Sequence, residues 1–288
     1  MPPRLGWSKA PIEPRTFRPR LASFRQAAPP TPVYNRYLLT AAQRDAIDLV
    51  LVSPRNPLNI GAAARAMANF GFPHLTVVAP FEAHWQEAKS AVGAESLLQS
   101  AKHEKCLAEA VSNCTLVVGT GTLAHRRPEQ PVLPLPDLAP RIAHELGHGG
   151  RAALVFGPEK HGLTRADLAL CHLLVQIPTH PQQPSMNLGQ AVAVCLYELA
   201  VRSHVDASSL PGDIGNASTE HPPAAMRDLD LLAAAVADAM QAAHYSPAAM
   251  QKANRHDLEL LLRRLALNQP DARRILGLFR RILWRLRR

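Results

Sequence analysis

Ile47-Asp48-Leu49-Val50-Leu51-Val52, then Ser53-Pro54-Arg55-Asn56-Pro57-Leu58-Asn59, then Ile60-Gly61-Ala62-Ala63-Ala64-Arg65-Ala66-Met67-Ala68-Asn69-Phe70-Gly71: the three pieces of this one stretch set the fold class. The first is β-branched and almost continuously apolar, the pattern of a strand buried on both faces. The last is rich in alanine, the strongest helix former, with Asn59 available as N-cap and Gly71 placed to stop the helix just after Phe70. A doubly buried strand followed by a helix belongs in a parallel sheet, where the helix forms the crossover to the next strand. The alternation continues, with short apolar runs at Leu75–Pro80, Thr115–Gly121, Ala152–Gly157 and Leu173–Pro178 separated by helical stretches. In the last helix of this block Leu188, Ala191, Val192, Cys195, Leu196 and Leu199 recur at i, i+3, i+4, i+7, i+8 and i+11, one apolar stripe to lay on the sheet. The expected architecture is α/β, a parallel sheet with helices on both faces.

The 288 residues leave room for one large domain or, at roughly 150 residues each, about two. Hydrophobic residues make up 47% and charged ones 19% of the chain, a globular composition, and no apolar run approaches the ~20 residues of a membrane span. Cys106, Cys114, Cys171 and Cys195 lack CxxC spacing and sit in apolar or helical surroundings. They read as reduced packing residues of a cytoplasmic protein, with neither a zinc nor a disulfide framework. The net charge of +9 favours polyanionic partners through counterion release. It is concentrated at the two ends, from Arg4 to Arg36 and in arginine pairs from Arg263 to Arg288. Residues 1–43 are rich in Arg and Pro, nearly free of acids and aperiodic, a disordered basic arm by composition. Their prolines oppose the amphipathic helix of an organelle transit peptide, and they lack the apolar core of a secretory signal. Residues 44–203 carry the α/β pattern, and 204–227 are a small, polar, turn-rich linker. Residues 228–288 form a basic region of two or three helices, broken around Ser246-Pro247 and Asn268-Gln269-Pro270.

Three familiar patterns are incomplete. His144-Glu145-Leu146-Gly147-His148 spells HExxH, in which two histidines one turn apart hold zinc. Gly147, Gly149 and Gly150 crowd the place where a rigid helix is needed and suit a helix end instead. Gly157-Pro158-Glu159-Lys160-His161-Gly162-Leu163-Thr164 has a P-loop frame, but Leu163 stands where the phosphate-binding lysine belongs and Glu159 places a negative charge in the cradle. Gly119-Thr120-Gly121-Thr122-Leu123-Ala124 follows the third of the predicted strands, and prolines rather than a helix come next. That weakens a dinucleotide reading and leaves a glycine-rich strand end open to a ligand. Four polar or glycine-rich loops, at 53–59, 119–122, 157–162 and 177–187, follow predicted strands, the edge at which open α/β sheets bind ligands.

The segment 56–67, the run Leu154-Val155-Phe156-Gly157-Pro158-Glu159-Lys160-His161-Gly162-Leu163, and Ile177-Pro178-Thr179 with Ser185-Met186-Asn187-Leu188-Gly189-Gln190-Ala191-Val192 resemble a known set. In order and spacing they are similar to the three motifs of the SpoU (TrmH) branch of the SPOUT RNA methyltransferases, most nearly its TrmJ-like members, over roughly residues 46–203. The resemblance implies an S-adenosylmethionine-dependent enzyme that methylates a ribose 2′-hydroxyl of RNA. It further implies a homodimer and a C-terminal trefoil knot in the 44–203 domain, built from the segments 157–163 and 177–188, a rare exception to the rule against threaded chains. tRNA, in its anticodon loop, is the favoured substrate. The alternatives are an rRNA 2′-O-methyltransferase and a catalytically weak RNA-binding protein of the same fold.

By the same resemblance Thr120, Gly121, Thr122, Gly157, Ile177, Pro184, Ser185 and Met186 line the cofactor site, Arg65 acts at the target ribose, and Asn59, Glu159, Ser185 and Asn187 order the site. One departure stands out. Relatives carry a Thr-Ser-Ala-Arg-like run after the third strand, where this chain has Thr120-Gly121-Thr122-Leu123 and arginines only at Arg126 and Arg127. Methyl transfer from a sulfonium releases a neutral thioether, so the chemistry calls for no metal and no acid, only orientation of the 2′-OH and loss of its proton. A guanidinium, with a pKa above about 12, is better suited to holding phosphate and stabilising alkoxide charge than to taking that proton. The helix opened by Asn59 points free N–H groups at the same edge, and Arg263, Arg264, Arg273, Arg274, Arg280 and Arg281 are available to grip the RNA body. Before the last helix, Pro184-Ser185-Met186-Asn187-Leu188-Gly189-Gln190 holds either Asn187 or Ser185 as N-cap, with more polarity than a cap requires.

Overall fold

β1 (Ile47–Val52) is buried along its whole length. Ile47, Leu49 and Leu51 face one core while Val50 and Val52 face another, as the two-residue period of a strand demands. The computed structural model describes residues 39–121, 128–201, 221–245 and 247–288. Most of the expected basic arm, residues 1–38, lies outside them, as do 204–220 of the expected linker and the last two residues of the expected 44–203 domain. The boundary drawn at residue 43 falls inside a short helix, α1 (Ala41–Asp45), whose Thr40 forms a capping box with Gln43. Leu39 just before it is fully buried. No helix among the described residues is long and apolar enough to cross a membrane.

Around β1 lie β2 (His74–Val78), β3 (Lys102–Glu104), β4 (Leu116–Thr120), β5 (Val132–Pro134), β6 (Ala152–Phe156) and β7 (Leu173–Gln176), in the order β3-β2-β1-β6-β4-β7-β5. Every pairing is parallel, as expected from the continuous apolar runs. The run at 115–121 is the fourth strand of the chain rather than the third, because the three-residue β3 precedes it without any apolar run to announce it. β3 and β5 occupy the two sheet edges, where short polar strands and a proline without an N–H to donate are tolerated. The chain steps outward from β1 to β2 and β3, and β6 later returns to pair with β1 on its other side. This reversal brings the carboxyl ends of β1 and β6 together, the kind of crevice in which α/β sheets hold ligands.

One face carries α2 (Pro57–Phe70), α3 (Glu95–Ser100), α5 (Leu138–Gly147) and α7 (Leu188–Val201), which bury Ile60, Met67, Leu98, Leu138, Ile142 and, of the predicted stripe, Leu188, Val192, Cys195, Leu196 and Leu199, with Ala191 partly buried. Gly71 stops α2 in the left-handed conformation, φ 73°, as read from its position after Phe70. α2 and α7 pack at close range. A Cβ built on Gly189 would stand 2.7 Å from the Ala62 Cβ, well inside van der Waals contact. The other face is covered by shorter pieces, α4 (Leu107–Ala110) and the loop around α6 (Arg165–Ala169), together with Met226 at the start of α8 (Met226–Ala242).

α8, α9 (Gln251–Arg264) and α10 (Gln269–Leu286) make the C-terminal region three helices rather than two. Asn268 caps α10 by accepting a hydrogen bond from the Asp271 N–H at 2.8 Å, and Pro270 sits in the first turn. The region is bonded to the sheet: the Met226 N–H donates to the Cys114 carbonyl at 2.9 Å and the Arg227 N–H to the Ser112 carbonyl at 3.0 Å. Arg263, expected on an RNA-facing surface, is instead buried with 3% of its side chain exposed, its guanidinium 3.4 Å from Asp230. Helical periodicity turns it toward the sheet, whereas Arg264, Arg273, Arg274, Arg280 and Arg281 are exposed. Because α2 and α7 touch through Gly189, Gly189→Val is expected to lower the stability of the fold by about 1–3 kcal/mol through overpacking, read as a fall in the urea unfolding midpoint. An unchanged midpoint would show that the helices have room to separate.

Candidate active site

The loop after β1 and the loop after β6 are tied by one carboxylate. Glu159, two residues past Gly157, accepts the Arg55 N–H on Oε2 at 3.1 Å and the Asn56 N–H on Oε1 at 3.2 Å. The same Oε1 accepts the Asn59 Nδ2 at 2.8 Å. Asn59 Oδ1 then accepts the Asn187 Nδ2 at 2.9 Å, and Asn187 Oδ1 accepts the Gly189 and Gln190 N–H groups at 3.0 and 3.3 Å at the start of α7. The direction of this chain is dictated from one end, since an ionised carboxylate only accepts. Asn59 must therefore turn its NH2 to Glu159 and its oxygen to Asn187, and Asn187 its NH2 to Asn59 and its oxygen to the helix. Burial alone would raise the Glu159 pKa, but the hydrogen bonds from Asn59 and the backbone N–H groups favour the charged form more and hold it below the ordinary value.

This settles two caps. α7 is capped by Asn187, not by Ser185, which leaves Ser185 free to face the site. α2 is capped by Asn56, not by Asn59 as expected: Asn56 Oδ1 accepts the Leu58 N–H at 2.9 Å and Pro57 takes the first helical position. A proline at the first helical position was the available signal, because its fixed φ and missing N–H suit that position and place the cap one residue earlier. Asn59 is thereby released from capping and spends both ends of its amide on Glu159 and Asn187.

Beside the relay lies a cavity of about 210 Å³, lined by Thr120 and Gly121 from the end of β4, Gly157 and Glu159 after β6, and Ile177, Pro184, Ser185 and Met186 after β7. Seven of the eight residues expected at the cofactor converge there. The eighth, Thr122, lies outside the described residues, as do Arg126 and Arg127. Thr120 is buried and donates its hydroxyl to the Val155 carbonyl at 3.0 Å, fastening β4 to β6 at the rim. Gly157 has no space for a side chain, because a Cβ would run into the backbone of Gly162 and Leu163. The loop after β7 is closed by the Thr179 hydroxyl, which donates to the Pro184 carbonyl at 3.2 Å. Thr179 and Gln176 line the cavity too, and neither was singled out as a site residue.

Of the residues expected to act on substrate, Asn59, Glu159 and Asn187 are joined by hydrogen bonds and Ser185 lines the cavity. Arg65 is not brought to them. It is exposed on α2, and it is not among the residues lining the cavity. At the HExxH stretch, α5 ends at Gly147, and the His144 and His148 rings lie against each other, tilted by 38° with centroids 4.4 Å apart. Among the described residues no three of His, Cys, Asp or Glu are grouped to hold a metal ion.

Known proteins are similar to this chain in sequence and in fold. The chain is 40% identical over 156 residues to the tRNA (cytidine/uridine/adenosine-2'-O-)-methyltransferase TrmJ of Pseudomonas aeruginosa, a match that spans 54% of this chain and 60% of that protein. It is 37% identical over 163 residues to the tRNA (cytidine/uridine-2'-O-)-methyltransferase TrmJ of Pectobacterium atrosepticum, across 56% and 66% of the two chains. The matched stretch thus falls short of two thirds of these relatives' lengths. The crystal structure of TrmJ from Z. mobilis superposes with a TM-score of 0.68 at 29% identity, covering 81% of this chain and 96% of that one. The parallel sheet and its flanking helices are therefore those of the SPOUT methyltransferase fold. With residues 46–197 matching the family's sequence pattern across the relay and the cavity, the chain belongs to the SpoU rRNA methylase family.

Proposed function

We propose that this protein is an S-adenosylmethionine-dependent RNA ribose 2′-O-methyltransferase acting on tRNA, in its anticodon loop, as a homodimer with the family's trefoil knot. The observation that carries the proposal is the coincidence of the Glu159–Asn59–Asn187 relay with a cavity built from the ends of β4, β6 and β7. The relatives' names, both tRNA 2′-O-methyltransferases, support the substrate class.

The cavity suits the cofactor. Gly121 and Gly157 leave backbone exposed where a ligand can approach, and Ile177 and Met186 supply apolar surface for a heterocycle. When bound, S-adenosylmethionine supplies a methyl group on a sulfonium. The protein's own residues then hold and orient the ribose. Ser185, freed from capping, offers a hydroxyl at the cavity wall. Glu159 is an unsuitable proton acceptor, since three hydrogen bonds already stabilise its charged form. Its role is to position, fixing the loops after β1 and β6 and the start of α7 relative to one another. Arg65, exposed on α2 and not among the residues lining the cavity of its own chain, supplies a fixed positive charge for a phosphate and for developing alkoxide in the dimer. Exposed arginines of α10 and Arg264 provide sequence-independent grip on the RNA body.

Transfer of labelled methyl from S-adenosylmethionine into purified tRNA, with nucleotide-resolved mapping of the product, tests the reading. A 2′-O-methyl mark in the anticodon loop is expected. Incorporation into rRNA alone, or RNA binding without incorporation, would replace it. Asn187→Asp keeps the capping oxygen but loses the donor to Asn59. It is expected to leave stability within about 1 kcal/mol of the native chain while lowering turnover at least tenfold, and parallel losses in both measurements would reduce Asn187 to a helix cap. Because its folded pKa lies below the usual 4.5, Glu159 stabilises the fold fully above that value, and its contribution disappears as the pH falls through the folded value. Glu159→Gln should therefore be less stable than the native chain at neutral pH and show a shallower loss on acidification below 4.5.

A further inference from the structure

The carboxyl ends of β1 and β2 carry a feature that the relay does not use. Ser53 and Ala79 each stand one residue past the last pair of these strands, Val52 with Val78, and both are held in left-handed backbone, φ 45° and 43°. Residues with a Cβ adopt that conformation rarely, and they do so mainly at turns and functional sites that the surrounding structure over-determines. Hydrogen bonds lock it here. The Ser53 N–H donates to the Val78 carbonyl at 2.8 Å, the Ala79 N–H to the Glu104 carbonyl at 3.0 Å, and the Phe81 N–H to the Pro54 carbonyl at 3.2 Å. The loop after β2 is thereby fixed to the loop after β1, which Glu159 in turn holds through the Arg55 and Asn56 N–H groups.

What this rigid frame displays is an aromatic ring. Phe81 is 72% exposed. The guanidinium of Arg55 lies over it, Cζ 5.6 Å from the ring centroid, and makes no ion pair or hydrogen bond among the described residues. Glu82, the acid next to the ring in sequence, is itself exposed and is not paired with Arg55. A lone exposed apolar residue calls for no account of its own. The fixed backbone beneath this one and the cation against it set it apart. An open aromatic surface beside a positive charge is the pair of parts that binds unpaired nucleic acid, the ring stacking on a base and the charge meeting the backbone phosphate.

We infer that Phe81 is the stacking platform for an unpaired base of the substrate RNA, next to the nucleotide whose ribose enters the site, with Arg55 bracing the ring and meeting the adjoining phosphate. The inference rests on the reading of the chain as an enzyme acting on an RNA loop, and it supplies a reason for the loop. A base inside a duplex has both faces covered by its neighbours, so a stacking platform selects segments that are not paired. Glu159 then ties the platform to the relay through the backbone of Arg55, so that the base contact and the polar chain share one frame.

Titration of the full chain with tRNA, intact or lacking the base at one anticodon-loop nucleotide at a time, tests this. In the native chain, removal of one base beside the methylated ribose is expected to raise the Kd at least about fivefold. Phe81→Ala is expected to raise the Kd for intact tRNA by the same factor and to be indifferent to loss of that base. Phe81→Trp keeps a platform and is expected to restore both the affinity and the sensitivity. Both variants should unfold at the native urea midpoint, because the side chain is exposed. Arg55→Gln leaves the backbone N–H on Glu159 and is expected to lower the slope of log affinity against log salt by about one. Native-like binding by Phe81→Ala, or losses from the variant and from base removal that add instead of overlapping, would overturn the platform while methyl transfer into tRNA by the native chain stands. Dissociation of Phe81→Ala into monomers would also overturn it and assign the ring to a contact between copies. A native chain that neither binds nor methylates tRNA removes the reading of the enzyme, and the platform with it, so the native chain alone tells the two failures apart.

Discussion

Everything at the site depends on the charge of Glu159. A carboxylate that accepts from two backbone N–H groups and one amide fixes the loop after β1 against the loop after β6, which are separated by about a hundred residues of chain. It also sets the orientation of two amides in series. An asparagine amide is otherwise free to present either end, and a pair of them has several arrangements of similar energy. Anchoring one end to a group that cannot donate removes that freedom without any added packing. The far end of the series delivers an oxygen to the first N–H groups of α7, so a helix start and a strand-end loop share one polar chain.

The sheet supplies the place for this chain. Reversal of the strand order at β1 and β6 brings two loops to one point, and β7, beyond β4, contributes a third whose backbone continues into α7. Close contacts replace side chains wherever these loops cross. Gly157 accommodates the Gly162–Leu163 backbone, and Gly189 accommodates Ala62. Side chains are excluded at both positions, one beneath the cavity and one beside the relay, and the polar groups above them are correspondingly well held.

Much of this was legible from residue order alone, and the limits have physical causes. The long strands declared themselves because burial on both faces leaves an unbroken apolar run, and α7 because its stripe has helical period. β3 and β5 did not, since an edge strand of three residues such as Lys102-His103-Glu104 needs only one partner and no apolar face. The cap of α2 was misplaced by three residues because Asn56 and Asn59 have equal intrinsic capping ability, and what separates them is Pro57 locally and Glu159 at long range. Arg263 was read as a surface charge because nothing in the sequence of a basic helix marks which turn faces inward. The cofactor residues were found through motif resemblance, and the structure gives that list a common geometric reason: seven of them end strands or follow them at one edge.

The attachment of α8 to the second face of the sheet has a consequence for how the chain can be divided. Met226 completes an apolar layer with Val50, Val117, Val155 and Leu174, and its N–H is bonded to Cys114. A chain ending at residue 203, where composition alone places the edge of the catalytic domain, would lose that cover and leave valine and leucine side chains facing water on a sheet surface. Such a fragment would be prone to self-association, and its oligomeric state would report the missing helix rather than the native assembly.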